Sequence, residues 1–148
     1  MADVTTNQQL RVRLVTPERT LFEQPADAVE LPAKNGYMEV LYGHAPLLAE
    51  LGSGDVTVHG AAVEGAAATT RYNVSWGFVE VLPDRVTILA NDALKPEEID
   101  VPRAERQREH GEELWKQAGE SEEAYDEALR VIAEAEAKIA SAGTAEPH

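Results

Sequence analysis

Residues Tyr72–Ala90, YNVSWGFVEVLPDRVTILA, decide the fold class. Apolar side chains at Tyr72, Val74 and Trp76 give way to Val79 and Val81, so the inward parity changes across Gly77, as a turn or bulge would require. Leu82-Pro83-Asp84-Arg85 carries Pro at the favoured second position of a type I turn, and Val86–Leu89 resumes the β-branched texture, which makes a hairpin.

On either side the same pattern recurs. Leu10, Val12 and Leu14 alternate with Arg11 and Arg13, giving one buried and one wet face, and Thr16-Pro17-Glu18-Arg19 reads as a turn. Further strands are expected at Ala28–Leu31, Tyr37–Leu41, Leu47–Leu51, Val56–His59, Ala67–Val74 and Phe78–Leu82. Gly52-Ser53-Gly54-Asp55 lacks the Lys of a phosphate-binding loop and reads as a hairpin turn. Many short strands cut by Gly, Pro, Asn and Asp indicate an all-β sandwich or barrel. Trp76 and Phe78 are expected in its core around the Gly77 irregularity, with partner contact as the alternative.

After Asn91-Asp92 the texture changes to Ala, Glu, Arg and Leu, which is helical composition. Asp100 is a candidate N-cap, and Ala104, Gly111, Trp115 and Ala118 form a thin apolar stripe on a first helix. Gly119 breaks it, and Ser121 caps a second helix whose inner face carries Tyr125, Ala128, Leu129, Ile132, Ala135 and Ile139. The chain therefore divides into a β-sandwich at 1–92, a linker at 93–101, a helical hairpin at 102–143 and a tail at 144–148.

Composition narrows the functions. The 148 residues carry 27 acidic and 13 basic side chains, a formal net charge of -14, which repels nucleic acid. With no cysteine, disulfides, thiolate metal sites and cysteine nucleophiles are excluded. His44, His59, His110 and His148 are scattered, and no serine sits in a Gly-x-Ser-x-Gly elbow, so neither a metal nor a triad is expected. No apolar run is long enough to span a membrane.

Gly43-His44-Ala45-Pro46-Leu47-Leu48, Gly77-Phe78-Val79-Glu80-Val81, Val86-Thr87-Ile88-Leu89-Ala90 and Glu98-Ile99-Asp100 with Arg103-Ala104 follow one another in the order and spacing of one family. Upstream, Val15–Arg19 precedes Leu21-Phe22, and Val29–Pro32 leads to Gly36. On these motifs the chain resembles the epsilon subunit of bacterial F-type ATP synthases, over residues 10–104 by motif and beyond them by architecture. The resemblance implies a sandwich of about ten strands followed by an antiparallel two-helix hairpin. It also implies a non-catalytic subunit of the central rotor stalk. Such a subunit binds the gamma subunit and rests on the ring of c subunits, coupling proton flow to ATP synthesis in the catalytic head. Its place is peripheral, at the cytoplasmic face of the bacterial plasma membrane, held there by the complex.

The same resemblance assigns residues. The loop of Tyr42, Gly43 and His44 would face the c ring; the alternative is a solvated surface turn. No cofactor is required, but Asp100 and Arg103 fall on a motif that binds regulatory ATP in some relatives, whereas the residues alone allow a plain N-cap and a surface charge. Leu94 stands where those relatives carry an acidic side chain, and the second helix offers only Arg130 and Lys138. Residues 119–141 hold seven acidic and two basic side chains, a net of -5, which disfavours the family's docking onto an acidic catalytic-subunit segment. Inhibition of ATP hydrolysis is then expected to be weak or to rely on Arg103, Arg106, Arg108 and Lys116. The rival reading is a free-standing binding module dimerised through Leu129, Ile132 and Ile139, with a jelly-roll hydrolase third.

Overall fold

The computed structural model describes residues 9–60 and 69–143 and separates the chain into two compact units, Met1–Ala93 and Leu94–His148. The start of the expected strand at Ala67 and the tail at 144–148 lie outside the described residues.

Among the described residues the first unit holds seven strands: β1 Leu10–Val15, β2 Thr20–Ala26, β3 Ala28–Ala33, β4 Gly36–Leu41, β5 Leu47–His59, β6 Thr69–Leu82 and β7 Arg85–Leu94, the last ending one residue past the unit boundary. They form one hydrogen-bonded sheet in the order β2-β1-β7-β6-β5-β3-β4. Leu10, Val12 and Leu14 near one end of that order and Val29, Leu31 and Val40 near the other belong to a single buried cluster. A flat sheet cannot bring its two ends into one core, so the sheet folds over itself as a sandwich. Phe22 on the edge strand β2 meets Tyr72 on β6 with ring centroids 5.5 Å apart.

The described residues hold seven strands where the resemblance implies about ten; of the eight read from the residues, two pairs are continuous, and β2 is added. Leu47–Leu51 and Val56–His59 are the ends of β5, and the Val74 and Phe78 segments are joined within β6. Gly52-Ser53-Gly54-Asp55 is therefore mid-strand, not a turn. Its glycines make room: a Cβ at Gly54 would fall on the Tyr37 hydroxyl, and one at Gly52 would lie 3.3 Å from the Ala33 carbonyl oxygen. β2 was not anticipated, since Glu23, Gln24 and Pro25 break its pattern, and Pro is at home on a sheet edge.

The parity change in β6 is real but needs no inserted residue. Leu51 opposes Gly77 and Ser53 opposes Ser75 in unbroken register, while the core side chains move from Val56, Val58, Tyr72 and Val74 to Leu51, Val79 and Val81. Positive φ at Trp76 (54°) and Gly77 (135°) turns the backbone over. Phe78 consequently points to solvent, 51% exposed, contrary to the expectation of a core residue.

Both turns foreseen on the pattern form. Thr16 N–H donates to Arg19 O (2.9 Å) and Arg19 N–H returns to Thr16 O (3.2 Å), closing β1 onto β2. Pro83-Asp84 alone separates β6 from β7.

The second unit opens with a short 3₁₀ helix, Pro96–Glu98, followed by α1 Val101–Lys116 and α2 Glu122–Gly143. Ala104 and Gly111 of α1 and Ala128 and Ala135 of α2 are buried. Small residues let the helices approach closely; a Cβ at Gly111 would sit 2.7 Å from Ile132 Cγ1. Gly119, at φ +63°, turns the chain within the connection, and Ser121 Oγ accepts from Ala124 N–H (3.1 Å) to start α2. Leu129, expected inside, is 54% exposed, and Lys138 and Ser141 are buried instead. The cause is helical phase: Ala128 and Ala135 lie seven apart on the inner stripe, and Leu129 is rotated off it.

Candidate interface at the sandwich loop and the helix start

The segment between β4 and β5 holds Tyr42, Gly43 and His44. His44 N–H donates to Leu41 O (3.1 Å), and Gly43 occupies φ +90°, the combination a tight turn with a left-handed third residue needs. Gly43 N–H reaches the β6–β7 turn at Pro83 O, 2.7 Å away, and Arg11 N–H donates to Asp84 O in the same turn (3.0 Å). The β4–β5 and β6–β7 connections and the start of β1 are thereby tied at one end. Held by that tie, the loop presents apolar surface: Leu41, Tyr42, Leu47 and Leu48 are all exposed. His44 is half-buried, with Nδ1 2.7 Å from Ala45 O. Drawn as a donor to that carbonyl, Nδ1 carries the proton and leaves Nε2 to a partner. The motif made Tyr42, Gly43 and His44 legible; the exposed Leu48 was not read as surface, because alternation alone does not say which face is covered.

Asp100 and Arg103 occupy one turn. Asp100 Oδ1 accepts from the Arg103 backbone N–H (3.1 Å), so the carboxylate caps α1, while the Arg103 side chain stays exposed. Pro102 stands in the first turn, where no intrahelical donor is lost. The Glu98 carboxylate accepts from Lys95 N–H (2.9 Å), which stiffens the approach to this turn. For a nucleotide phosphate the exposed Arg103 guanidinium is suited, but α2 adds little: Lys138 is buried and paired with Glu134 at 3.3 Å, while Glu122, Glu123, Asp126, Glu127 and Glu136 are exposed. Among the described residues no three His, Asp or Glu side chains converge as metal ligands, and no helix is long and apolar enough to cross a membrane.

Comparison with known proteins bears on the family and the fold. Residues 9–96 match the family described as ATP synthase, Delta/Epsilon chain, beta-sandwich domain. The ATP synthase epsilon chain of Koribacter versatilis is 42% identical over 109 residues, 72% of this chain and 71% of the relative. That of Solibacter usitatus is 39% identical over 136 residues, covering 90% of this chain and 95% of its own. A chain in the cryo-EM structure of Euglena gracilis mitochondrial ATP synthase, OSCP/F1/c-ring, superposes with a TM-score of 0.74 over 90% of this chain and 81% of that one. Its identity of 24% makes that a likeness of fold.

Proposed function

We propose a role from one premise: the chain belongs to the ATP synthase epsilon chains, matched in its sandwich by the family and along 90% of its length by a relative at 39% identity. It acts as a non-catalytic subunit of the central stalk. The sandwich binds the gamma subunit and the c ring, so that ion flow through the ring is coupled to ATP synthesis in the catalytic head. The hairpin of α1 and α2 is the regulatory part. The protein works peripherally, at the cytoplasmic face of the membrane, through the complex that holds it.

The observation that carries the ring contact is the tied loop. Tyr42, Gly43 and His44 stand at an end of the sandwich braced by Gly43 N–H to Pro83 O, and an apolar surface with a polar tip is what a rotor joint between rigid bodies requires. A loop free to flex would dissipate torque. This one is held by backbone hydrogen bonds.

The acidic outer surface of α2 bears on regulation. Glu122, Glu123, Asp126, Glu127 and Glu136 are exposed, whereas Lys138 is buried, so the hairpin meets an acidic catalytic-subunit segment with like charge. Restraint of ATP hydrolysis is accordingly weak, or it works through Arg103, Arg106 and Lys116 on α1. ATP, in this reading, is a regulatory ligand of Asp100 and Arg103 and not a substrate; it acts by favouring whichever hairpin arrangement holds it.

Affinity purification of the tagged full chain from detergent-solubilised native membranes tests the role. The ATPase head and c ring should accompany it, and a chain ending at Glu98 should retain them. Absence of every ATPase component under conditions that preserve the complex would reduce the likeness to one of fold and favour an independent binding module.

A further inference from the structure

Asparagine occurs as Asn7, Asn35, Asn73 and Asn91, and only Asn35 is followed by glycine. Asn73 is 1% exposed, and its side-chain nitrogen donates to Gly54 O and Asp55 Oδ1, so it is held in place. Asn91 is exposed on β7 but is followed by Asp92. Asn35 stands in a different setting. Lys34 and Asn35 alone connect β3 to β4, and Lys34, Asn35 and Gly36 are all exposed. The Lys34 side of this turn is pinned to β5: Lys34 N–H donates to Glu50 O (2.9 Å), and Ala33 O lies 3.3 Å from where a Cβ of Gly52 would stand. The Gly36 side is open. Among the described residues nothing lies within 4 Å of a Cβ placed there, and Gly36 holds φ +135°, a conformation that residues with side chains resist.

What the turn holds is an edge. Among the described residues β4 pairs with β3 alone. The β3–β5 ladder is itself interrupted between Glu30 and Ala33, where Pro32 has no N–H to give. Asp55 of β5 falls in that gap, and its N–H donates to the Tyr37 hydroxyl at 2.9 Å. Tyr37 stands one residue past Gly36 and reaches across β3 to accept this bond; a Cβ on Gly54 would fall on its hydroxyl and lie 3.0 Å from Pro32 Cβ. Because Tyr37 is 63% exposed, its position depends on where β4 begins more than on burial.

We propose that Asn35 is a site of spontaneous deamidation whose isoaspartyl product frees Tyr37 from Asp55. Once base in the solvent has taken the Gly36 N–H proton, the nitrogen attacks Asn35 Cγ. A C–N bond forms, the Cγ–Nδ2 bond breaks, and ammonia leaves with a proton from solvent, closing a succinimide ring. Water then adds to one of the two ring carbonyls. Opening at Cγ leaves aspartate; opening at the main-chain carbonyl leaves isoaspartate, whose chain runs through Cγ and is longer by one atom. Water is the co-reactant, and no group is oxidised or reduced. Glycine makes the step accessible: with no Cβ, Gly36 neither blocks the approach to Cγ nor confines the rotation that brings its nitrogen there. The Ala33–Gly36 pair closes its ladder at the end, where opening costs least. Either product sets a carboxylate beside Lys34, whose Nζ lies 3.5 Å from Glu50 Oε1. In isoaspartate the extra backbone atom also breaks the match between a two-residue connection and the pairing of Ala33 with Gly36, and Tyr37 shifts with it. The site is independent of the stalk role.

Ageing of the purified full chain at neutral pH tests both parts. At intervals the chain is digested with endoproteinase Glu-C at mildly acidic pH, which releases residues 31–39 without converting them, and electron-transfer fragmentation distinguishes aspartate from isoaspartate. Residues 31–39 should gain the mass of an amide-to-acid conversion before the peptides holding Asn73 and Asn91 do, with isoaspartate as the larger share. Asn35→Gln, whose longer side chain would have to close a larger ring, should show no gain. Hydrogen exchange at the Asp55 amide, followed by NMR, should quicken as isoaspartate accumulates, towards the rate in fresh Tyr37→Phe, and should stay slow in aged Asn35→Gln. Circular dichroism melting of each variant checks that the sandwich is folded. If Asn91 converts while residues 31–39 keep their mass, the turn protects its amide and the site is wrong. If isoaspartate forms and Asp55 exchange is unchanged, Tyr37 is not released and that half of the proposal falls.

Discussion

Gly77 of β6 and Leu89 of β7 approach so closely that a Cβ on Gly77 would fall on the Leu89 carbonyl oxygen. At φ +135° the glycine also holds a backbone conformation that other residues resist. The Gly-Phe-Val-Glu-Val motif thus begins with a residue demanded by backbone contact.

Gly77→Ala is expected to destabilise the sandwich by about 2–4 kcal/mol, because the obstacle is backbone and cannot rotate aside. Urea unfolding followed by far-UV circular dichroism measures it. A variant as stable as wild type would mean that β6 and β7 separate at little cost.

Gly111→Ala sets two effects against each other. Alanine gains about 1 kcal/mol in helix propensity over glycine, but its methyl would meet Ile132 Cγ1 at 2.7 Å and Val131 Cγ1 at 3.1 Å. Overpacking of this kind costs about 1–3 kcal/mol, so a net loss on the order of 1 kcal/mol is expected. Trp115, whose ring lies 5.9 Å from that of Tyr125, reports hairpin unfolding by fluorescence once Trp76 of the sandwich is replaced by Phe in both proteins compared. Stabilisation would show that the helices can move apart freely.

Asp100→Ala removes the cap of α1 and should cost about 1 kcal/mol, with Asp100→Asn recovering most of it. Arg103→Ala leaves that bond intact, since the donor is the backbone N–H. The two variants separate structure from ligand: thermal melting should fall only for Asp100→Ala, while calorimetric heat of ATP binding should be lost with Arg103→Ala. Unchanged ATP affinity in Arg103→Ala would remove the nucleotide role from this turn.

Gly43→Val is expected to loosen the loop from Pro83 and reduce retention of the c ring more than Tyr42→Ala or His44→Ala alone, because φ +90° disfavours a β-branched residue. Quantifying c subunit against catalytic subunit in affinity-purified complex gives the readout. Equal recovery from all three variants would move the ring contact elsewhere on the sandwich.

Local rules made much of the fold legible. The Pro83-Asp84 and Pro17-Glu18 turns, the caps at Asp100 and Ser121 and the break at Gly119 each depend on a few adjacent residues, and each stands where its residues put it. The surface turn at Gly43 and Pro46 was legible from its residues, whereas the ring contact of Tyr42, Gly43 and His44 rests on the family resemblance.

What the sequence by itself determined was the order of materials: a β unit, a punctuated approach and two alanine-rich helices, since periodicity and capping act within a few residues. Tertiary structure alone decided that Gly52 and Gly54 pass through a strand and not a turn, because the reason for them, the neighbouring Ala33 and Tyr37, comes from other strands. It alone decided that Leu129 faces out and Lys138 in, because Ala128 and Ala135 take the inner stripe where α2 packs on α1. And it alone gathered Arg11 and Arg13 with Arg85, more than seventy residues further along the chain, onto one face, because the parallel pairing of β1 with β7 is a long-range contact that no local pattern encodes.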